Sequence, residues 1–172
     1  MDNKKYVDYI LEQAENLINI DSPSGYGEGV TQYLLDEYHA YRTGKGSVIA
    51  DLGGEDENDA ILLEGHCDTL GAMVHEIKAD GHLKLTNIGG MQANNAEAEN
   101  VRVITKFNGI YEGTCQLANP SVHVNGSYGT TPRTWDVMEV ILDEDVKTKA
   151  DAEALGIMAG DYVCFEPRFR VT

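Results

Sequence analysis

Positive charge is scarce in this sequence. The 172 residues include 13 Lys and Arg against 29 Asp and Glu, for a formal net charge of −16 at pH 7. Nucleic acids and anionic lipid surfaces are bound largely through Lys and Arg, so this balance argues against both classes of partner.

Cysteines and long apolar runs are scarce as well. Cys67, Cys115 and Cys164 are three in number and lack C-x-x-C spacing, which favours a reducing compartment over a disulfide framework. The opening residues MDNKKYVDYILEQ are charged and amphipathic, unlike a signal peptide, and no stretch approaches the length of a transmembrane helix. We therefore expect a cytoplasmic protein with no membrane partner.

The first 69 residues have the pattern of an α/β layer structure. Apolar residues recur with a helical period over 6–18 and from Val30 to Tyr38, which predicts two amphipathic helices. The sequence DSPSG between them predicts a helix stop and restart. Strands are predicted at 47–50 and 60–63, and the second is apolar on successive residues, as in a strand covered on both faces.

From Leu70 onward the pattern predicts short β-strands. They are expected in seven places: 72–77, 83–85, 101–105, 113–117, 121–124, 138–142 and 161–165. Thr148 and Asp151 form a capping-box-like start for one short helix. We predict that residues 70–160 form a β-rich barrel or sandwich inserted into the α/β unit, and that 161–172 return to that unit as a strand.

The polar interruption in "LLEGHCDTLGAMV" is the candidate site. His66 and Asp68 follow the predicted strand at 60–63, and open α/β sheets place their ligand sites beyond such strand ends. An imidazole can bind a divalent metal through one nitrogen while a carboxylate orients its other nitrogen. One histidine does not make a metal site, however, and an ordinary hydrogen-bonded pair explains the same motif.

Several longer motifs connect the chain with a known family. In order they are "SPSGYGEGV", "RTGKGSVIADLGG", "EGHCDTLGAMV", "LTNIGG", "NPSVHVNG" and "RTWDVMEVILDEDVKTKADAEALGIMAGDYVCFEPR". Over 6–172 the sequence resembles the M42 family of metallo-aminopeptidases. The resemblance implies a zinc-peptidase-like α/β catalytic domain, here partial, with an inserted β-rich barrel-like dimerisation domain.

The resemblance also implies a function. It makes His66 a metal ligand and Asp68 the carboxylate that supports the catalytic metal site. It further implies two divalent metal ions, zinc or cobalt, in the complete enzyme, peptide substrates trimmed from their N-termini, and homo-oligomers formed through the β-rich domain.

Family members are roughly twice this length. Their remaining ligands and the glutamate base lie beyond the segment that resembles "FEPRFRVT". With one recognisable ligand, this chain alone is expected to have no peptidase activity, because a two-metal site needs ligands for both ions and a base for the water proton. The alternative is a non-catalytic oligomerisation or interaction module.

The remaining candidates have plainer interpretations. His39, His75 and His82 are predicted to lie on the surface, and His123 in "PSVHV" is expected to pack in a strand. Cys67 is expected to be a small buried thiol whose side chain points away from its two polar neighbours, because side chains alternate along a strand.

Overall fold

The computed structural model describes residues 3–56 and 58–172. The chain divides into two compact units. One comprises residues 1–69 and 169–172, and the other comprises residues 70–168.

The first unit begins with two helices, α1 (Lys4–Ile18) and α2 (Glu28–Glu37). A small antiparallel pair follows, β1 (Ala40–Arg42) with β2 (Val48–Ala50). Both predicted helices and the predicted strand at 47–50 are therefore confirmed within one or two residues.

The contact between the two helices is polar. Gln13 of α1 is buried, accepts a hydrogen bond from the Tyr33 hydroxyl at 2.8 Å and donates to Glu37 at 3.2 Å. The Tyr9 and Tyr38 hydroxyls lie 2.7 Å apart at the same seam, where burial and the Tyr9 hydroxyl raise the pKa of Tyr38. Val7, Ile10 and Ile18 of α1 are exposed, whereas its other aliphatic residues are partly buried.

The strand predicted at 60–63 is not formed. Ile61, Leu62 and Leu63 are 87%, 80% and 85% exposed, and no strand is assigned among the described residues from 51 to 70. A strand exists only when its backbone groups pair with a neighbour. The apolar pattern predicted a strand covered on both faces, but the described residues leave these three side chains uncovered.

The second unit is a closed six-stranded antiparallel barrel. Its strands are β3 (Gly71–Ile77), β4 (Leu83–Ile88), β5 (Asn100–Ile104), β6 (Ile110–Leu117), β7 (Met138–Leu142) and β8 (Tyr162–Phe165). They close in the order β3-β4-β7-β6-β5-β8, and two short helices, α3 (Ala93–Ala96) and α4 (Lys149–Ala154), lie between strands. The expected mixture of helices with a β-rich barrel is confirmed.

Alternating apolar residues fill the barrel. Met138, Val140 and Leu142 of β7 are all buried in its core, together with inward residues of the other strands. Such alternation is what allows each strand to line a closed core while its other face meets solvent. The predicted capping box also forms, because Thr148 accepts from the Asp151 backbone while Asp151 accepts from that of Thr148.

Two predictions for the second unit need correction. The return strand predicted over 161–172 is part of the barrel instead, because β8 pairs with both β3 and β5 and only 169–172 group with the first unit. The strand predicted at 121–124 is replaced by a series of turns in the long β6–β7 connection. The identification of the two units as catalytic and dimerisation domains stays a prediction.

Candidate functional site

His66 and Asp68 lie together at the end of the extended segment. Nδ1 of His66 is 3.1 Å from Oδ1 of Asp68 and 3.2 Å from the Asp68 carbonyl oxygen. The imidazole is 86% exposed and the carboxylate 43% exposed. In the tautomer that carries its proton on Nδ1, His66 donates to Asp68 and keeps the lone pair on Nε2 available.

The turn after α1 holds this pair in place. Ser22 is fully buried, its carbonyl accepts from the Thr69 backbone N–H at 2.8 Å, and its hydroxyl donates to the Cys67 carbonyl at 3.3 Å. Pro23, which is also buried, forms an isolated parallel bridge with Thr69. Cys67 and Thr69, which flank Asp68, are therefore hydrogen-bonded to the turn through their backbones.

Ser24 completes the arrangement. Its hydroxyl donates a hydrogen bond to Oδ2 of Asp68, while Oδ1 of the same carboxylate faces His66. The bond from Ser24, followed by the His66 imidazole, lowers the pKa of Asp68 below its ordinary value, because both contacts favour the ionised carboxylate. Asp68 is therefore a carboxylate at neutral pH.

Ser22 and Ser24 were not identified from the sequence as part of the site. The DSPSG stretch predicted a turn, but a turn signal says nothing about a contact with residues more than forty positions away. The one available signal was that "SPSG" lies within a family motif, since a serine on each side of a proline offers two hydroxyls from a rigid backbone.

His66 is the single candidate metal ligand of this arrangement. A neutral imidazole whose Nδ1–H is held by a carboxylate is a suitable donor for a divalent ion through Nε2. Among residues 3–56 and 58–172, however, no group of three or more His, Cys, Asp and Glu side chains could hold a metal ion. Since zinc sites take three or four protein ligands, the described residues supply part of such a site and do not complete it.

His75, His82 and His123 belong to the second unit, and Cys67 stands between His66 and Asp68 in the sequence. His75 is exposed on β3, and His123 is exposed in the turns of the β6–β7 connection, so the expected strand packing of His123 is wrong. His82 was expected at the surface but is half-buried, with Nδ1 2.8 Å from Oε1 of the buried Glu139. Cys67 is partly exposed, where a buried thiol was expected.

Glu139 is the most deeply buried charged residue among the described residues. Its ion-pair partners offset the cost of burying its carboxylate. It is 2% exposed, and its Oε2 lies 2.6 Å from Lys78 Nζ. This hydrogen bond raises the pKa of Lys78.

The Cys115 thiol is also buried. Burial raises its pKa to about 12, and the negative charges of Glu139 and Glu97 add to the effect. Cys115 is therefore an inert thiol at neutral pH.

No helix in the described part of the chain is long and apolar enough to cross a membrane.

Comparison with known proteins shows similarity to an aminopeptidase family. The model of the M42 glutamyl aminopeptidase family matches residues 46–172, more than half of the chain. A Bacillus subtilis (strain 168) protein named "Putative aminopeptidase YhfE" is 42% identical over 167 residues, which are 94% of this chain and 48% of that protein.

Solved structures show the same fold. A TET aminopeptidase from the marine sediment archaeon Thaumarchaeota archaeon SCGC AB-539-E09 superposes with a TM-score of 0.78 at 22% identity, covering 97% of this chain and 47% of that one. The Pyrococcus horikoshii TET1 peptidase, described as assembling into a tetrahedron or a large octahedral shell, superposes with a TM-score of 0.72 at 23% identity, covering 93% and 47%. The chain thus spans about half the length of the relatives it matches.

Proposed function

Since the chain belongs to the M42 glutamyl aminopeptidase family, we propose that it is part of a metal-dependent aminopeptidase that removes N-terminal residues from peptides. The observation that carries the proposal is the His66–Asp68 pair, which lies within the matched residues and has the geometry of a metal-binding imidazole supported by a carboxylate. Peptides with a free amino terminus are the proposed substrates.

In this proposal His66 contributes one ligand through Nε2. Asp68 acts on His66 rather than on the substrate, because its Oδ1 holds the proton at Nδ1 and so keeps the lone pair on Nε2. Two divalent ions, zinc or cobalt, would supply Lewis-acid polarisation of the scissile carbonyl and an activated water. The remaining ligands and the base are not brought together by the described residues.

Hydrolysis by this chain alone is therefore not proposed. A cocatalytic centre needs ligands for both ions and a group that accepts the proton of the water. We propose that residues 1–69 contribute one face of the catalytic domain and that the barrel contributes the contact between subunits. The assembly described for the Pyrococcus horikoshii relative supports a homo-oligomer.

The exposed segment at 61–63 supports a partial catalytic domain. Three consecutive apolar side chains, each at least 80% exposed, have no covering layer among the described residues. Apolar runs of this kind belong to interior strands of α/β sheets, which are covered on both faces. The alternative function, a non-catalytic interaction module, would use the same surface to bind a partner.

Measurement of the metal content distinguishes the aminopeptidase from the non-catalytic interaction module. The protein translated from the complete reading frame that contains this chain is purified as wild type and as His66→Ala, and its metal is measured by mass spectrometry. We expect two ions per wild-type subunit and loss of at least one in the variant. Exposed His123→Ala is the control and should keep both ions. Two ions retained in His66→Ala would disprove the ligand assignment, and a wild type without metal would favour the interaction module.

A further inference from the structure

The turn that follows α1 touches the His66–Asp68 pair through a side chain that forms no part of the metal chemistry proposed above. Ser24 donates its hydroxyl hydrogen to Oδ2 of Asp68. The other carboxylate oxygen, Oδ1, is the one that faces Nδ1 of His66. A carboxylate held at one oxygen cannot turn freely about its χ2 bond, so the contact from Ser24 also limits the direction of Oδ1.

Backbone hydrogen bonds hold Ser24 close to Asp68. Ser24 is exposed, and a hydrogen bond between two freely moving surface side chains would be short-lived in water. Here the preceding residues are buried and anchored, because the Ser22 carbonyl accepts from Thr69 N–H and its hydroxyl donates to the Cys67 carbonyl. These bonds lie on both sides of Asp68, so the distance between Ser24 and Asp68 is set by the backbone.

We propose that Ser24 is a positioning residue for His66, acting through the Asp68 carboxylate. Its hydroxyl orients Asp68 so that Oδ1 accepts the Nδ1 proton of His66, which leaves Nε2 unprotonated and pointing away from the pair. The proposal deepens the proposed function, on which its significance for metal binding rests. The geometry itself needs no metal, so it can be tested in its absence.

The direct readout is the position of the proton on His66. The protein translated from the complete reading frame is labelled with ¹⁵N-histidine, freed of metal and studied by NMR at about pH 8.5, roughly two units above the ordinary pKa of imidazole. The ring nitrogen signals of His66 are identified by their loss in His66→Gln. We expect the Nδ1–H tautomer to dominate in the wild type, and Asp68→Asn to remove that preference because an amide has one carbonyl acceptor in place of two carboxylate oxygens.

Ser24→Ala is the decisive variant. It should shift the tautomer ratio toward Nε2–H by about fivefold, the order expected for one hydrogen bond. Ser24→Thr keeps a hydroxyl and should restore the wild-type ratio. Ser47→Ala removes an exposed hydroxyl elsewhere in the same unit and should change nothing. Protection of the Thr69 amide against hydrogen exchange shows whether the turn itself remains intact.

Three results would overturn the proposal. The first is a wild-type tautomer ratio in Ser24→Ala, and the second is a ratio that Asp68→Asn leaves unchanged. The third is a Ser24→Ala protein in which the Thr69 amide loses its protection, because Ser24 would then serve the turn and not the imidazole. None of these readouts involves metal, so they are separate from the metal measurement that tests the proposed function.

Discussion

The backbone N–H of Thr69 donates to the carbonyl of Ser22 at 2.8 Å, joining residues 47 positions apart in the sequence. This bond fixes the end of the extended segment against the turn that follows α1. Because Thr69 follows Asp68 directly, the bond limits the backbone position of the His66–Asp68 pair, although neither residue takes part in it. The candidate site is therefore formed by two separate stretches of the first unit.

The buried Glu139 leads to a prediction about stability. Lys78→Met removes the cation that lies 2.6 Å from Oε2 of a carboxylate that is 3% exposed. Breaking a fully buried pair costs about 3–5 kcal/mol, but Lys78 is partly solvated, so we expect a loss of about 1–2 kcal/mol in the free energy of unfolding. Urea denaturation at pH 7 measures it.

Lys84→Met is the matched control. Lys84 lies 3.5 Å from Asp136, whose side chain is 87% exposed. An ion pair of this kind contributes about 0–1 kcal/mol, so the unfolding midpoint should hardly change. Equal losses of unfolding free energy in the two variants would show that burial of Glu139 does not strengthen its ion pair with Lys78.

The ion pair between Glu97 and Arg133 of the β6–β7 connection should stabilise the fold less in acid. Arg133 donates to both oxygens of Glu97, and its guanidinium lies over the Tyr128 ring. The bond from Arg133 lowers the pKa of Glu97 below its ordinary 4.5. Because the pKa is lower in the folded state, the stabilisation is complete above pH 4.5 and is lost as the pH falls through the folded value.

Glu97→Gln tests this pH dependence. At pH 7 the variant should unfold at a lower urea concentration than the wild type, and the difference should shrink as the pH falls below 4.5, the ordinary pKa of the carboxyl group. A difference that stays constant between pH 7 and pH 3 would mean that the charge of Glu97 does not stabilise the fold.

The helix α4 depends on its capping box. The Thr148 hydroxyl accepts from the Asp151 backbone N–H and donates to Oδ2 of Asp151. Thr148→Ala removes both of these bonds and leaves the Asp151 N–H with the Thr148 carbonyl as its acceptor. We expect a loss of about 1 kcal/mol in the free energy of unfolding. Thr148→Ser keeps the hydroxyl and should retain most of that stability, and a loss as large as that of Thr148→Ala would exclude the cap as the cause.

The exposed apolar segment predicts self-association. Side chains such as Ile61 and Leu63, 87% and 85% exposed, lower their free energy by leaving water when chains associate. The 172-residue chain should therefore form oligomers or aggregates in light scattering, and Ile61→Asp with Leu63→Asp should reduce them. Phe107→Asp, at an exposed position of the barrel, is the control. A monodisperse wild-type monomer would contradict this prediction.

Much of the fold follows from local patterns. The prediction of β7 at 138–142 is confirmed residue for residue, because apolar residues at 138, 140 and 142 recur with the two-residue period of a strand. The start of α4 is confirmed because a capping box is a signal of four neighbouring residues. Where the deciding interactions are local, the sequence alone was sufficient.

The failures have a common physical cause, which is distance along the chain. The segment 60–63 has the composition of a strand but no partner in the described chain, and pairing rather than composition makes a strand. The partners of Ser24 and His82 lie 44 and 57 residues away, so no local pattern reveals them. His66 and Asp68, only two positions apart, were predicted as neighbours and lie in contact.

Hydrolysis of a peptide with a free amino terminus is the measurement that tests the central claim most directly. The protein from the complete reading frame is assayed with zinc or cobalt as wild type, His66→Ala and the His123→Ala control, against the same peptide with its amino terminus acetylated as a second control. The account predicts release of the N-terminal residue from the free peptide alone by the wild type and the control. It predicts a loss of at least about a hundredfold in His66→Ala, because loss of a ligand should exceed the roughly 10- to 100-fold loss caused by removing an outer partner of a ligand. Full activity in His66→Ala would contradict it.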